Sequence, residues 1–197
     1  MAERLRYSID VETDWGGRTN TVQGLKEGLP FILELFRSHQ VKAIFFVSTE
    51  LLRYYHRDIA AIKEHGHQIG NHSHFHHVFK NVDRQHQNKE IGEQLLRAYS
   101  LVPTGPIPFR APRFSLKTKD QYSFRFRHVG LLRHVYGLDR KILPADTIYL
   151  HPFDIVKPTT PAPNLFCKLW YSQGERAKAM LTKIVRIEYE NSINKRT

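Results

Sequence analysis

Apolar and polar positions along this 197-residue chain alternate between two rhythms, one of strands and one of helices. Residues 6–12 read as a first strand whose polar tip, Asp10 to Glu12, lies at the C-terminal end. Residues 24–39 carry Leu25, Leu29, Ile32, Leu33, Leu35 and Phe36 at helical spacing, which predicts an amphipathic helix. The continuous apolar run at 42–47 predicts a parallel strand covered on both faces. A second helix is predicted over 49–65, stopped by Gly66 in the position that a helix-ending glycine takes. Residues 67–70 predict a third strand, and 83–99 a third helix with Asp83 as its N-cap. A turn-rich stretch at 103–108 leads into Phe109-Arg110-Ala111-Pro112. A further strand is predicted at 147–150, and a closing helix at 175–191. Strands alternating with helices call for a parallel sheet with right-handed crossovers, and the whole chain reads as one domain, 1–197.

The residues able to do chemistry are not scattered over this pattern. Asp10 and Glu12, the pair His72 and His76, Arg110 and His151 all fall just past the C-terminal ends of strand segments. Active sites of α/β barrels and open α/β sheets form at that edge. Within Gly70-Asn71-His72-Ser73-His74-Phe75-His76-His77 the spacing predicts a helical turn. On such a turn His72 and His76 share a face and can converge on one cation, while His74 and His77 point away.

Composition removes several classes. An apolar content of 41% with 25% charged residues is that of a folded globular chain. A single cysteine, Cys167, excludes a disulfide framework and a cysteine-based zinc site. No apolar run approaches the roughly 18 residues that span a bilayer, and the first residues carry no secretory signal pattern, so the expected location is cytoplasmic. The net charge of +11 is spread along the chain, with mild enrichment at 110–141, and no nucleic-acid-binding motif accompanies it. No nucleic-acid partner is expected. The charge suits a diphosphate-bearing substrate or peripheral contact with an anionic membrane surface.

Four segments, in order, carry a family resemblance: Ser8-Ile9-Asp10-Val11-Glu12, Gly70-Asn71-His72-Ser73-His74-Phe75-His76, Phe109-Arg110-Ala111-Pro112 and Leu150-His151-Pro152. They resemble the ordered motifs of the polysaccharide deacetylases, carbohydrate esterase family 4 or the NodB-homology superfamily. The Asp-x-Glu form of the first motif resembles one branch of that family. The resemblance implies an α/β fold, a distorted (β/α) barrel with fewer than eight regular units. It also implies hydrolysis of an N-acyl group, usually acetyl, from an amino sugar in a polysaccharide or its biosynthetic precursor.

Under that resemblance each residue has an expected role. Two neutral imidazoles and a carboxylate around a divalent ion leave positions open for water and substrate, as at catalytic zinc. The expected ligands are His72, His76 and Glu12, with Asp14 as the alternative to Glu12, and the expected cofactor is Zn2+. Asp10 is the expected general base, two residues from Glu12 and on the same strand face. Arg110 is expected to pair with Asp10, and His151 to be the general acid. In similar enzymes a backbone N–H just after the third motif's proline helps bind the oxyanion, which maps to Arg113. Trp15, Phe75, Phe114 and Phe153 are candidate aromatic walls for a sugar ring.

One departure from the family pattern stands out. The 117–140 segment is short, basic and poor in strand signals, and its neighbourhood offers only Asp120, Asp139 and Asp146 as carboxylates to orient His151. This leaves three alternatives to an ordinary deacetylase: an incomplete barrel with impaired catalysis, a sugar- or anion-binding relative, or a metal-independent amidohydrolase or deformylase of the same fold.

Overall fold

The computed structural model describes residues 7–78, 80–114, 126–128, 147–165, 167 and 174–194. Among these described residues, five parallel strands form one sheet in the order β3-β2-β1-β5-β4. They are β1 (Tyr7–Val11), β2 (Ala43–Val47), β3 (Gln68–Asn71), β4 (Phe126–His128) and β5 (Thr147–Leu150). One turn, α1 (Asp14–Gly17), follows β1; the larger helices are α2 (Leu29–Ser38), α3 (Leu52–Glu64), α4 (Val82–Ala98) and α5 (Glu175–Asn194). The fold is the α/β architecture expected of a NodB-type barrel, and among the described residues the sheet is not closed.

The sheet's two faces divide core from chemistry. Tyr7, Ile9 and Val11 of β1, Ala43, Phe45 and Val47 of β2, Ile69 of β3 and Ile148 and Leu150 of β5 enter one large apolar core. Leu29, Ile32, Leu33 and Phe36 of α2, Ile59 and Ile62 of α3 and Leu181, Ile184 and Val185 of α5 belong to the same core. Strand side chains alternate with a period of two, so Ser8, Asp10, Tyr149 and Phe46 are left for the opposite, concave face. Register aligns the strand tips: Asp10 lies beside Phe46, which lies beside Gly70, while Ile9 lies beside Leu150. A parallel sheet in this register puts the ends of β1, β3 and β5 at one edge.

Several local expectations change. The helix predicted over 24–39 begins as a π-helical turn, Gly24–Gly28, before α2 proper. This turn is closely packed: a Cβ at Gly24 would lie 2.5 Å from the Phe153 nitrogen, and one at Gly28 only 2.0 Å from the Pro152 carbonyl oxygen. These two glycines, four apart, let the turn after β5 rest on the helix backbone. The N-cap of α4 is Asn81, not Asp83; its side chain accepts from the N–H groups of Asp83 and Arg84 at 2.8 and 3.2 Å. A strand, β4, lies inside the segment that is poor in strand signals. Its Phe-Arg alternation is only a few residues long and sits within a basic run. Apart from β4 that segment, with Asp120 and Asp139, and Asp146 beyond it, lies outside the described residues.

His67, at the start of β3, makes a pH prediction. Its ring is buried beside Phe45 and Phe36, centroids 5.1 and 5.8 Å away, and neither ring nitrogen has a hydrogen-bond partner. Burial, with the nearby charges of Lys42 and His65, pushes its pKa down from 6.5 to about 4. The unfolded imidazole therefore takes up a proton at higher pH than the folded one. Stability is full above about pH 6.5 and falls as pH drops toward 4, by at most about 3 kcal/mol before solvent screening is discounted. Urea midpoints of His67→Leu should fall less between pH 7 and 4.5 than those of the unsubstituted protein. Parallel pH profiles would dismiss this account.

Candidate active site

The site is assembled where β1, β3 and β5 end. Phe109 bridges Asn71 in parallel fashion, with Asn71 N–H donating to Pro108 O at 2.8 Å and Arg110 N–H to Asn71 O at 2.9 Å. This brings Arg110 against β3 and over the concave face. Its guanidinium is fully buried, 4.0 Å from the Phe46 ring centroid and 5.2 Å from that of Tyr149. A Cβ at Gly70 would lie 2.7 Å from the Phe46 ring, so glycine there leaves room for that aromatic floor.

Arg110 serves three neighbours, Asp10, Ser8 and His72. Nη1 donates to Asp10 Oδ1 at 2.5 Å and Nη2 donates to Ser8 Oγ. Its backbone carbonyl lies 2.8 Å from His72 Nδ1. A carbonyl only accepts, so Nδ1 carries the proton and Nε2 presents a lone pair. That lone pair faces Glu12 Oε2 at 3.2 Å and Asp10 Oδ2 at 3.5 Å. His76 Nε2 lies 2.5 Å from the same Glu12 oxygen.

The two histidines do not share a helical turn, as their spacing predicts. Residues 72–78 form an irregular loop with Ser73 at φ 70°. Side-chain and backbone clamps replace the helix. Asn71 Oδ1 accepts from Ser73 N–H at 2.7 Å, and Asn88 of α4 exchanges two 2.8 Å bonds with the N–H and C=O of Phe75. Thr49 and Glu50 N–H groups donate to Ser73 and His74 carbonyls, both at 3.0 Å. His74 is half-buried with Nδ1 3.1 Å from Thr49 Oγ1, and His77 is exposed, so neither joins the pair.

Glu12, His72 and His76 each offer one ligand atom, all within 4.8 Å of one another, and all three residues are buried. Both Glu12 oxygens and His72 Nε2 lack a well-formed hydrogen bond. Burial favours a neutral Glu12, yet the close imidazoles of His76, His72 and His151 hold its carboxyl well below the usual range. Burial likewise opposes a charged His72, while Asp10 and Glu12 raise its pKa. The pocket thus stabilises positive charge at the point where the three ligand atoms converge. Buried, under-satisfied N,N,O donors with a fixed imidazole tautomer fit a divalent ion such as zinc.

Asp14 is occupied elsewhere. Its oxygens accept from Gln23 N–H at 2.7 Å and Gly24 N–H at 2.8 Å, capping the helical segment that becomes α2. Trp15 and Phe153, two of the suggested sugar walls, are buried and pack on one another with centroids 4.8 Å apart, beside Cys167. Their faces are not open to a ligand. Phe75 is 43% exposed beside the histidine loop. Arg113 takes the left-handed conformation at φ 52°, a strained choice for a residue with a side chain, and points that side chain to solvent. The Phe114 side chain lies outside the described residues.

His151 closes the site on the side of β5. Nε2 lies 3.3 Å from Glu12 Oε1 and 2.9 Å from the Tyr149 hydroxyl. Nδ1 lies 3.3 Å from Oδ2 of Asp154, a fully buried residue in the turn Pro152–Ile155. Burial disfavours the imidazolium, but the hydrogen bond and charge of Asp154, with Glu12 and Asp10 behind them, push its pKa up to about 9. Sequence reading missed Asp154 and Tyr149. Signals for both were present: Tyr149 is two residues before His151 and shares its strand face. Asp154 stands three residues after it, across a proline at the first turn position, which is capping-box spacing.

A model of the family described as polysaccharide deacetylase matches residues 21–122. No curated protein sequence matches the chain. Among solved structures, a mutant of BA3943, a CE4 family pseudoenzyme, with restored enzymatic activity is similar at TM-score 0.57 and 19% identity, over 95% of this chain and 65% of that one. The unmutated BA3943 is from Bacillus anthracis. The chain thus spans a little under two thirds of that protein. A family 4 carbohydrate esterase from Bacillus anthracis matches at TM-score 0.55 and 18% identity, over 95% and 77% of the two chains. The peptidoglycan deacetylase PdaC from Bacillus subtilis matches at 0.53 and 14% over 96% and 95%. At such identities the likeness extends to the fold. The matched segment contains His72, His76 and Arg110, while Asp10, Glu12 and His151 lie beyond it and reach the same site through the sheet. With more than half of its length matched by that family's model, the chain belongs to the polysaccharide deacetylase family.

Proposed function

We propose that the protein is a divalent-metal-dependent deacetylase, removing an N-acyl group, in the simplest case acetyl, from an amino sugar of a polysaccharide or its precursor. The observation that carries this reading is the buried Glu12, His72 and His76 cluster with Asp10 and His151 on either side. A divalent ion held by those three residues, zinc by its donor set, would polarise the acyl oxygen and make water a nucleophile near neutral pH.

The chain's own residues handle the protons. Arg110 occupies Asp10 Oδ1, which leaves Oδ2, beside His72 Nε2, to take the proton from water as its oxygen adds to the acyl carbon. The Arg113 N–H is the candidate donor to the developing oxyanion. The C–N bond then breaks with its electron pair remaining on nitrogen, and His151 Nε2 supplies the proton that nitrogen needs. Products are the carboxylate and the free amino sugar. Exposed Phe75 offers a face for the sugar ring.

Metal analysis with acetate release from N-acetylglucosamine oligomers tests this. Purified protein should carry one ion per chain, lose activity in chelator and recover with zinc. Asp10→Asn should keep the ion and lose about a thousandfold in kcat, within the range for a general base. Chelator-insensitive release would instead support a metal-independent amidohydrolase. Bound metal with no release from any N-acyl sugar would support a sugar- or anion-binding relative.

A further inference from the structure

The acid side of the site is built from one short stretch of chain. Tyr149 and His151 alternate onto the concave face at the end of β5, and the Tyr149 hydroxyl meets Nε2 at 2.9 Å. The chain then turns through Pro152–Ile155, seated against Gly24 and Gly28. In a turn of this kind the third residue's side chain folds back over the cap residue. Asp154 does so with one oxygen: Oδ2 accepts from the His151 backbone N–H at 2.8 Å and lies 3.3 Å from Nδ1. Asp154 is fully buried, so the interaction is shielded from water.

We propose that Asp154 is the positioning carboxylate of His151, supplied by the turn that directly follows β5. The inference rests on the deacetylase reading. A carboxylate at Nδ1 keeps a proton on that nitrogen, fixes the ring plane and stabilises the imidazolium. Nε2 is then the nitrogen that hands its proton to the leaving amine as the C–N pair stays on nitrogen. A carboxylate three residues away in a rigid turn imposes this at little further cost in chain entropy, because the same oxygen already caps the turn.

Asp154→Asn is the informative variant. Its side-chain oxygen can take the place of Oδ2 and still accept from the His151 N–H and from Nδ1, so the cap and the ring plane survive, but the negative charge that stabilises the imidazolium is lost. With N-acetylglucosamine oligomers kcat should fall about a hundredfold, the lower range for general-acid loss, with KM changed by less than about twofold. With 4-nitrophenyl acetate, whose leaving phenolate needs no proton, the fall should be less than about threefold. In a His151→Ala background the Asp154→Asn change should cost nothing further. Asp120→Asn, Asp139→Asn and Asp146→Asn should leave the amide reaction unaltered. A low-field imidazole N–H proton resonance assigned to His151 Nδ1 should be present in the unsubstituted protein and move upfield in Asp154→Asn, where the acceptor is no longer charged.

Equal losses on both substrates, or no loss on the amide, would overturn the proposal. So would loss of the amide reaction in one of the other three aspartate variants. If the unsubstituted protein releases no acetate from either substrate, the deacetylase reading fails, and the resonance decides the pairing alone. An upfield move in Asp154→Asn supports the pairing, and an unmoved resonance refutes it.

Discussion

Glu12→Gln is expected to bind zinc at least about a hundredfold more weakly than the unsubstituted protein and to release no acetate above background. Asp14→Asn, two residues on, is expected to keep the ion. The contrast follows from where the two carboxylates point. Glu12 reaches the two imidazoles, with His76 Nε2 at 2.5 Å and His72 Nε2 at 3.2 Å, and neither of its oxygens has a well-formed hydrogen bond elsewhere. Both Asp14 oxygens are engaged by backbone N–H groups at the start of a helix. An amide at position 12 keeps the size of the side chain but removes the negative charge that a divalent ion requires. An amide at position 14 loses one acceptor and costs about 1 kcal/mol, the usual worth of a cap. Chelator competition measures both affinities. Retention of zinc by Glu12→Gln with loss in Asp14→Asn would reverse the ligand assignment.

Arg110→Met should be the most destabilising single change at the site, lowering unfolding free energy by about 3–5 kcal/mol in chelator-treated protein. Arg110 and Asp10 are both buried and joined at 2.5 Å. Methionine fills much of the volume between Phe46 and Tyr149 but leaves the Asp10 carboxylate without its counter-charge. The penalty is mostly that of the stranded partner, so Asp10→Asn in the Arg110→Met background should recover part of it. Urea denaturation of the four proteins closes the cycle. An unchanged midpoint in Arg110→Met, or no recovery in the double variant, would show that the pair is not what holds this region. Activity should be lost in both, which separates the stabilising role of Arg110 from its role in orienting Asp10.

The difference between Glu12 and Asp14 shows the limit of reading by spacing. Both carboxylates follow β1 and both are two residues from a neighbour of the same charge. Which one faces the histidines depends on where the chain leaves the strand, and the left-handed residues Trp15, Gly16 and Gly17 swing Asp14 back toward Gln23 and Gly24. The histidine pair illustrates the same limit from the other side. Its members converge although the helical turn that would explain their spacing is not there, because Asn71 and Asn88 hold the loop by its backbone.

Sequence alone specified the alternation of strand and helix, the parallel sheet and the strand ends at which Asp10, Glu12, His72, His76, Arg110 and His151 would gather. These are properties of local periodicity and chain order, and burial of apolar stripes leaves few other arrangements. Packing between distant segments settled the remainder: Glu12 over Asp14, burial of Trp15 against Phe153, the dual use of Arg110 by Asp10 and His72, and the partner of His151. Asp154 is the clearest case. Three residues from His151 in the chain, it passes for an ordinary loop carboxylate until the turn, pressed against Gly24 and Gly28, folds its oxygen back beneath the imidazole.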